Sequence, residues 1–167
     1  MQILTAHVAT PLGEVFVCAT AAGLAGLTFG DPAYLSATLA RRFGATPLDY
    51  TPGDPHGACT ALRAYLRGEL DAIDNLPVDA GGTPFQRDVW AALRQIPAGR
   101  TETYSGLAAS LGRPTAVRAV GAANGQNPVA LVVPCHRVIA ADGKLQGYGG
   151  GIEKKRWLLV HEKALLV

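Results

Sequence analysis

The chain has few cysteines, and their spacing fits neither disulfide pairing nor zinc binding. Cys18, Cys59 and Cys135 are odd in number and far apart, which argues against a disulfide framework and for reduced thiols. No two of them have C-x-x-C spacing, and the four histidines form no ligand pattern with them. We therefore expect no metal site and a reducing compartment, the cytoplasm.

Long apolar runs, low-complexity tracts and internal repeats are also absent. A membrane-spanning helix needs about 20 consecutive apolar residues, and no segment approaches that length. The first 13 residues carry no Lys or Arg ahead of an apolar segment, so they do not resemble a secretory signal. These absences predict a globular protein without a membrane partner.

Charge is scarce overall but unevenly distributed. The net charge of +2 combines a balance of −4 over residues 1–86 with a balance of +6 over residues 87–167. A basic half can favour a polyanion such as DNA. A modest basic bias is also common on solvated surfaces, so charge alone leaves both interpretations open.

Hydrophobic patterning predicts a β-rich N-terminal part. Alternating apolar residues bounded by turn residues predict strands at 3–8, 14–19 and 24–29, and helical periodicity predicts helices at 33–43 and 58–67. The segment from 68 to 83 is rich in Asp, Gly and Pro and separates this part from the rest of the chain.

The second half has a helical pattern. Thr83 and Pro84 begin one helix, and a pair at Thr103–Leu111 and Pro114–Asn124 is joined through Gly112, which is typical of a helix-turn-helix. A last helix is expected from Ile152 to about Leu165. We predict an α+β fold in which a β-rich supporting domain (1–75) and a linker (76–82) precede a mostly helical domain with the helix-turn-helix (83–167).

The second helix of that pair has an unusually smooth outer side. Helical spacing places Thr115, Arg118, Ala119 and Ala122 there, which is too few polar side chains for a code read in the major groove. A small-residue surface instead suits close approach to a minor groove, with Arg118 inserted where a base is displaced. Alternatively, Arg118 forms a surface ion pair and the alanines pack inward.

The most reactive side chains lie behind the apolar run 129–133, which we predict to be a strand. Cys135, His136 and Arg137 follow Pro134, where a sharp turn is expected. A nearby cation or base lowers the pKa of a thiol and makes it nucleophilic. His136 would act through a water or after the turn, because adjacent side chains point in different directions. A buried, inert cysteine is the alternative.

Two further features belong to this candidate site. Glu162 is flanked at helical spacing by leucines, and an acid on an apolar face is seldom unpaired, so it is a candidate to orient His136. A frayed, solvated terminal turn is the alternative. The glycine-rich segment 147–151, which contains Tyr148, can bring backbone amides close to a ligand or form a plain turn.

Taken together, these segments resemble the O6-alkylguanine-DNA alkyltransferases in order and spacing. The match is strong over residues 83–163. The motifs that carry it are Thr83-Pro84-Phe85-Gln86, Tyr104, Arg118-Ala119-Val120-Gly121, Asn127-Pro128, Pro134-Cys135-His136-Arg137-Val138, Trp157-Leu158-Leu159 and His161-Glu162.

The resemblance implies a methylated-DNA–protein-cysteine methyltransferase that repairs DNA by direct reversal and acts once. Its own cysteine takes the alkyl group irreversibly from O6 of guanine, or from O4 of thymine, after the base is flipped out of the duplex. The helix-turn-helix would bind double-stranded DNA through the minor groove. The implied reaction requires no cofactor. Animal members of the family have zinc ligands near the N-terminus, and because these have no evident counterparts in this sequence, we predict no metal. We expect a monomer; cooperation along DNA stays open.

The resemblance also implies a role for each matching residue. Cys135 would be the acceptor, His136 the base, Glu162 its orienting acid and Asn127 a hinge that braces the turn. The substrate- or DNA-binding residues would be Tyr104, Thr115, Arg118, Ala119, Ala122, Arg137, Val138, Tyr148 and Gly149. Two other functions remain as alternatives: a binding module that detects lesions without transfer, and a cysteine hydrolase that turns over.

Overall fold

The computed structural model describes residues 2–44, 53–148 and 151–166. The chain divides into two units. The first unit comprises residues 1–81 and 128–132, and the second comprises residues 82–127 and 133–167. The secondary structure confirms the α+β class predicted from the sequence.

The first unit is built on a three-stranded antiparallel sheet in chain order. Its strands are β1 (Leu4–Thr10), β2 (Gly13–Ala19) and β3 (Leu24–Phe29), and its helices are α1 (Ala33–Phe43) and α2 (Ala58–Leu66). Leu35 and Leu39 of α1 are buried against Cys18 and Ala25 of the sheet. The predicted strands and helices of this unit are confirmed, with boundaries that shift by one or two residues.

The predicted strand at residues 129–133 is wrong. Only Val129 pairs, in an isolated parallel bridge to Leu27. The next residues form a tight turn, in which Val132 N–H donates to the carbonyl of Ala130 (2.8 Å) and Leu131 has φ of +70°. This is the geometry of a γ-turn, which shortens the chain where a strand would extend it. The run is apolar because it is buried.

The second unit carries most of the helices. Its elements are α3 (Pro84–Leu93), β4 (Glu102–Thr103), α4 (Tyr104–Ser110), α5 (Val117–Gly125), β5 (Val138–Ile139) and α6 (Ile152–His161). The predicted start of α3 is confirmed, because Thr83 and Gln86 form a reciprocal capping box. The indole of Trp90 donates to Ala123 O (2.8 Å) and ties α3 to α5.

Helix α5 begins three residues later than predicted. The end of α4 forms a Schellman motif, with Arg113 N–H bonded to Ala108 O and Gly112 N–H bonded to Ala109 O. A turn closed by the bond from Ala116 N–H to Arg113 O follows directly. Pro114 and Thr115 therefore lie in the connection between the helices, which spans residues 111–116.

Helix α6 ends earlier than predicted, so that Glu162 is its C-cap residue. Lys163 has φ of +61°. Lys163 N–H bonds to Val160 O and Ala164 N–H bonds to Leu159 O, which is again a Schellman motif. Among the described residues, no helix is long and apolar enough to cross a membrane.

Candidate active site

A sharp turn at Pro134 sets the directions of the reactive side chains. Pro134 has φ of −83° and ψ of 64°, and Cys135 N–H donates to Val133 O (2.8 Å). These values match an inverse γ-turn. A single 3-10 turn over Cys135–Arg137 follows, and all three of its side chains are buried. The sharp turn expected at Pro134 is confirmed.

A short parallel pairing brings Tyr104 to the same region. In it Glu102 pairs with Val138 and Thr103 with Ile139, so the residue that begins α4 lies beside the strand that leaves the cysteine turn. The Tyr104 hydroxyl donates to Gln146 O (3.4 Å). Burial and the negative charge of an ionised Cys135 raise the pKa of Tyr104, which keeps its phenol protonated.

Glu162 is bound by two residues that are adjacent in the chain. Its Oε2 lies 2.9 Å from His136 Nε2 and accepts from Arg137 Nη2 (2.8 Å), and its Oε1 accepts from Arg137 Nε (3.0 Å). The side chains of His136 and Glu162 have no exposed surface. The predicted contact between the imidazole and this carboxylate is therefore present in the structure.

This arrangement fixes the protonation of both groups. Burial alone would raise the pKa of Glu162, but the hydrogen bonds and charges of His136 and Arg137 hold it at about 2. Burial lowers the pKa of His136 and outweighs the effect of Glu162. The imidazole is thus neutral at physiological pH, and Nε2–H donates to the ionised carboxylate.

The other imidazole nitrogen is left as a proton acceptor. His136 Nδ1 is buried and has no hydrogen-bond partner among the described residues, and the same holds for the Tyr148 hydroxyl. The two rings lie 6.4 Å apart in an edge-on arrangement. Burial and the charges of Cys135 and Glu162 raise the pKa of Tyr148 well above its usual value. A neutral imidazole with a free lone pair can remove a proton through a bridging water.

Asn127 connects the turn to the thiol. Its side-chain amide donates to Val133 O (2.7 Å), the same carbonyl that accepts from Cys135 N–H. Burial raises the pKa of Cys135, whereas a hydrogen bond with the Asn127 side chain and the charge of Lys155 act in the opposite direction. The thiol thus needs help to ionise, and these groups supply it.

Arg137 does not have the position expected of a residue that contacts DNA. Its side chain is 3% exposed, it forms the paired bonds to Glu162, and its Nη1 donates to Ile96 O (2.6 Å). The sequence interpretation assigned its charge to the substrate or DNA and to the thiol. The prediction that Arg137 contacts the substrate or DNA is therefore wrong. The 3-10 turn directs its side chain toward Glu162 at the end of α6.

Lys155 was missed in the sequence. It is completely buried, and its Nζ donates to Val138 O (2.6 Å) and Gln146 O (2.7 Å). In the sequence it stands in the charged run 153–156, which looks like a solvated helix start. Its spacing would have revealed it, because positions 155, 158, 159 and 162 share one helical face and all four are buried.

The outer side of the helix-turn-helix is as predicted from helical spacing. Thr115, Arg118, Ala119 and Ala122 are exposed, whereas Val120 is buried. Arg118 makes no ion pair with any residue that the structure describes. The side that would face a nucleic acid thus presents small side chains and one long cation.

The backbone that is expected to contact the substrate is described only in part. Val138 is buried, its N–H donates to Cys135 O, and its carbonyl accepts from Lys155. Gly149 lies outside the described residues. Within the described ranges, no group of three or more His, Cys, Asp or Glu side chains is arranged to hold a metal ion.

The chain is similar in sequence to known proteins. The family model described as "6-O-methylguanine DNA methyltransferase, DNA binding domain" matches residues 84–164. The methylated-DNA–protein-cysteine methyltransferase of Shigella flexneri is 45% identical over 172 residues, which cover 100% of this chain and 99% of that protein.

Solved structures are similar over nearly the whole chain. The crystal structure of Mycobacterium tuberculosis O6-methylguanine methyltransferase is 39% identical with a TM-score of 0.80, covering 98% of this chain and 94% of that one. The structure of M. tuberculosis OGT in complex with DNA is 39% identical with a TM-score of 0.77, covering 96% and 92%. The chain therefore belongs to the methylated-DNA–protein-cysteine methyltransferase family.

Proposed function

We propose that this chain repairs DNA by direct reversal and that Sγ of Cys135 is the acceptor of the alkyl group. The observation that carries the proposal is the arrangement around the cysteine. His136 follows it in the same 3-10 turn, with Nε2 bound to Glu162 and with Nδ1 buried and unpartnered among the described residues. A base oriented by a carboxylate beside a thiol is the arrangement that activates a nucleophile.

The reaction is a displacement at the alkyl carbon. The thiol proton passes through a bridging water to His136 Nδ1, and the resulting thiolate attacks the carbon. The new S–C bond forms as the C–O6 bond breaks, and its electron pair leaves with guanine O6. The proton held by His136 passes back through the water to the guanine, so His136 is neutral again and the products are an unmodified guanine and a thioether on Cys135. This balance requires no cofactor.

The groups around the thiol would hold the flipped base. Tyr104 keeps its phenolic proton, so it can donate to the departing guanine and stabilise the charge that develops there. Tyr148 would form one wall of the pocket. The backbone at Val138 and Gly149 would contact the guanine edge. Asn127, through Val133 O, would hold the turn in its reactive geometry.

DNA would be bound through its minor groove by the helix-turn-helix. The exposed residues Thr115, Ala119 and Ala122 present little bulk, which allows α5 to approach a narrow groove closely. Arg118 would enter the duplex and occupy the space of the flipped nucleotide. Flipping costs a few kcal/mol and less for a weakened pair, so a lesion that disturbs pairing favours its own extraction.

The stoichiometry of the reaction tests this function. Each chain is expected to act once, as a monomer in the cytoplasm, because a thioether offers no simple route back to the thiol. With excess duplex that contains O6-methylguanine, we expect one lesion repaired per protein and none by Cys135→Ser. Multiple turnovers on an ester or peptide substrate would favour a cysteine hydrolase. Tight binding without repair would favour a lesion sensor, and either result contradicts the proposal.

A further inference from the structure

Lys155 is a buried cation that packing alone does not explain. Its side chain has no exposed surface, and its ammonium group donates to two main-chain carbonyls, those of Val138 and Gln146. Burial of an ammonium group is costly unless charges or hydrogen bonds compensate it. Carbonyl groups are neutral, and Lys155 forms no ion pair with any acidic side chain in the described part of the chain.

The two carbonyls belong to the segments that form the candidate site. Val138 is the first residue after the turn that carries Cys135. Gln146 precedes Tyr148, and its carbonyl also accepts from the Tyr104 hydroxyl (3.4 Å). Lys155 therefore joins the strand that leaves the cysteine turn to the segment that carries the predicted pocket wall. This contact cannot form without a long donor at position 155.

Among the described residues, Cys135 is the ionisable group whose charge acts on Lys155. On the 3-10 turn, Arg137 is positively charged and His136 is neutral, and both are bonded to Glu162. Tyr104 and Tyr148 have raised pKa values and stay uncharged. The remaining group is the Cys135 thiol, which becomes an anion when it ionises.

The interaction between Lys155 and Cys135 shifts the pKa of both groups. The charge of Lys155 lowers the pKa of Cys135, which burial raises. Burial lowers the pKa of Lys155 to about 8, whereas an ionised Cys135 raises it. In a buried site such an interaction is screened little by solvent.

We propose that Lys155 is a positioning residue of the alkyl-acceptor site. It ties Val138 to Gln146, and it supplies the buried positive charge that stabilises the Cys135 thiolate. This inference rests on the proposed function, because it concerns the ionisation of the proposed acceptor. Lys155 acts through the thiol and the pocket segments and need not touch the substrate.

Titration of the thiol tests the proposal without DNA. The thiolate is followed by its ultraviolet absorbance, with Cys135→Ser as the baseline, in the wild type, Lys155→Met and Lys155→Arg. We expect Lys155→Met to raise the midpoint of Cys135 by about one pH unit, which is about tenfold less thiolate at a given pH. Lys155→Arg keeps the positive charge, so its Cys135 midpoint should remain near that of the wild type.

The matched control is Lys154→Met, which removes a partly exposed charge from the same helix. It should leave the Cys135 midpoint unchanged, because the charge of Lys154 is screened by solvent. A folded Lys155→Met protein with the wild-type midpoint would overturn the proposal. An equal shift in Lys154→Met would also overturn it, because the effect would then be one of net charge.

A reciprocal measurement avoids substitution of the lysine. Linkage requires that the thiolate raise the pKa of Lys155 by as much as the lysine lowers that of the thiol. NMR titration of Lys155 should therefore give a lower midpoint in Cys135→Ser than in the wild type, and equal midpoints would refute the proposal. Neither titration involves alkyl transfer, so failure of the proposed function is detected separately, by the absence of repair.

Discussion

At the scale of single residues, Glu162 holds the candidate site together. One carboxylate accepts from two side chains that are neighbours in sequence, His136 and Arg137. Such a contact is possible because the 3-10 turn directs both side chains toward α6. Removal of one partner from a buried ion pair is strongly destabilising, since the other charge stays behind without compensation.

Glu162→Gln is expected to lower both stability and activity. The amide cannot neutralise buried Arg137, so we expect the free energy of unfolding in urea to fall by about 3 kcal/mol. The transfer rate should fall as well, since His136 loses its charged partner. Glu153→Gln, an exposed change on the same helix, should alter stability by less than about 1 kcal/mol. Equal stability of the two variants would contradict a buried ion pair between Glu162 and Arg137.

The low pKa of Glu162 also predicts acid sensitivity. Its folded-state pKa is about 2, against an ordinary value of 4.5. Its contribution to stability is therefore fully present above pH 4.5 and is lost as the pH falls toward 2. In that window the free energy of unfolding of the wild type should decrease more steeply than that of Glu162→Gln. If the free energies of unfolding of the wild type and of Glu162→Gln changed in parallel with pH, Glu162 would not be held as a buried anion.

Residue types predicted some of these contacts and not others. An acid among leucines indicated that Glu162 is paired, and Pro134 marked the turn, whereas the role of Asn127 came from the family resemblance. The direction in which the Arg137 side chain points could not be predicted, because it depends on a turn whose φ and ψ values are not evident from the sequence. Lys155 was missed because lysine usually places its charge in water, although its helical spacing placed it on the buried face.

At the scale of secondary-structure elements, the errors lie where backbone turns replace regular structure. The γ-turn at Leu131 interrupts an apolar run that has the composition of a strand. Lys163 ends α6 in a left-handed conformation, which is usually adopted by glycine or asparagine, so the sequence showed no stop signal. The helices themselves were predictable, since their apolar periodicity reflects burial.

The exposed side of α5 supports a prediction about flipping. Arg118→Ala should slow repair of an O6-methylguanine duplex by about tenfold or more, equivalent to about 1.4 kcal/mol, because nothing then fills the vacated space. Reaction with the free O6-methylguanine base should be unchanged. Arg156→Ala, which removes an exposed arginine from α6, serves as the control and should match the wild type on both substrates. Equal losses on duplex and free base would place Arg118 outside the flipping step.

At the scale of the whole molecule, charge is divided along the chain. The balance of +6 over residues 87–167 accompanies the helix-turn-helix, and the −4 over residues 1–86 accompanies the three-stranded sheet. Such a division favours phosphate contacts from the second half alone. Charge composition was compatible with this partner but left an ordinary solvated surface equally open, and the motifs along the second half were needed to decide between them.

DNA affinity should therefore depend on salt more than on sequence. The logarithm of the association constant for unmodified duplex is expected to fall linearly with the logarithm of salt concentration, as phosphate-dominated binding does. Duplexes of unrelated sequence should give nearly the same line. An affinity that is insensitive to salt, or a strong preference for one sequence, would contradict this interpretation, in which a surface of small side chains contacts mainly the phosphate backbone of the DNA.

Peptide mapping of the reacted protein identifies the residue that receives the alkyl group, which we propose is Cys135. The protein is incubated with duplex DNA that carries O6-methylguanine, then digested and analysed by mass spectrometry. We predict that the peptide containing Cys135 gains the mass of one methyl group, while the peptides containing Cys18 and Cys59 stay unmodified. Repair of the DNA with an unmodified Cys135 peptide, or a methyl group on another residue, would show that Cys135 is not the acceptor.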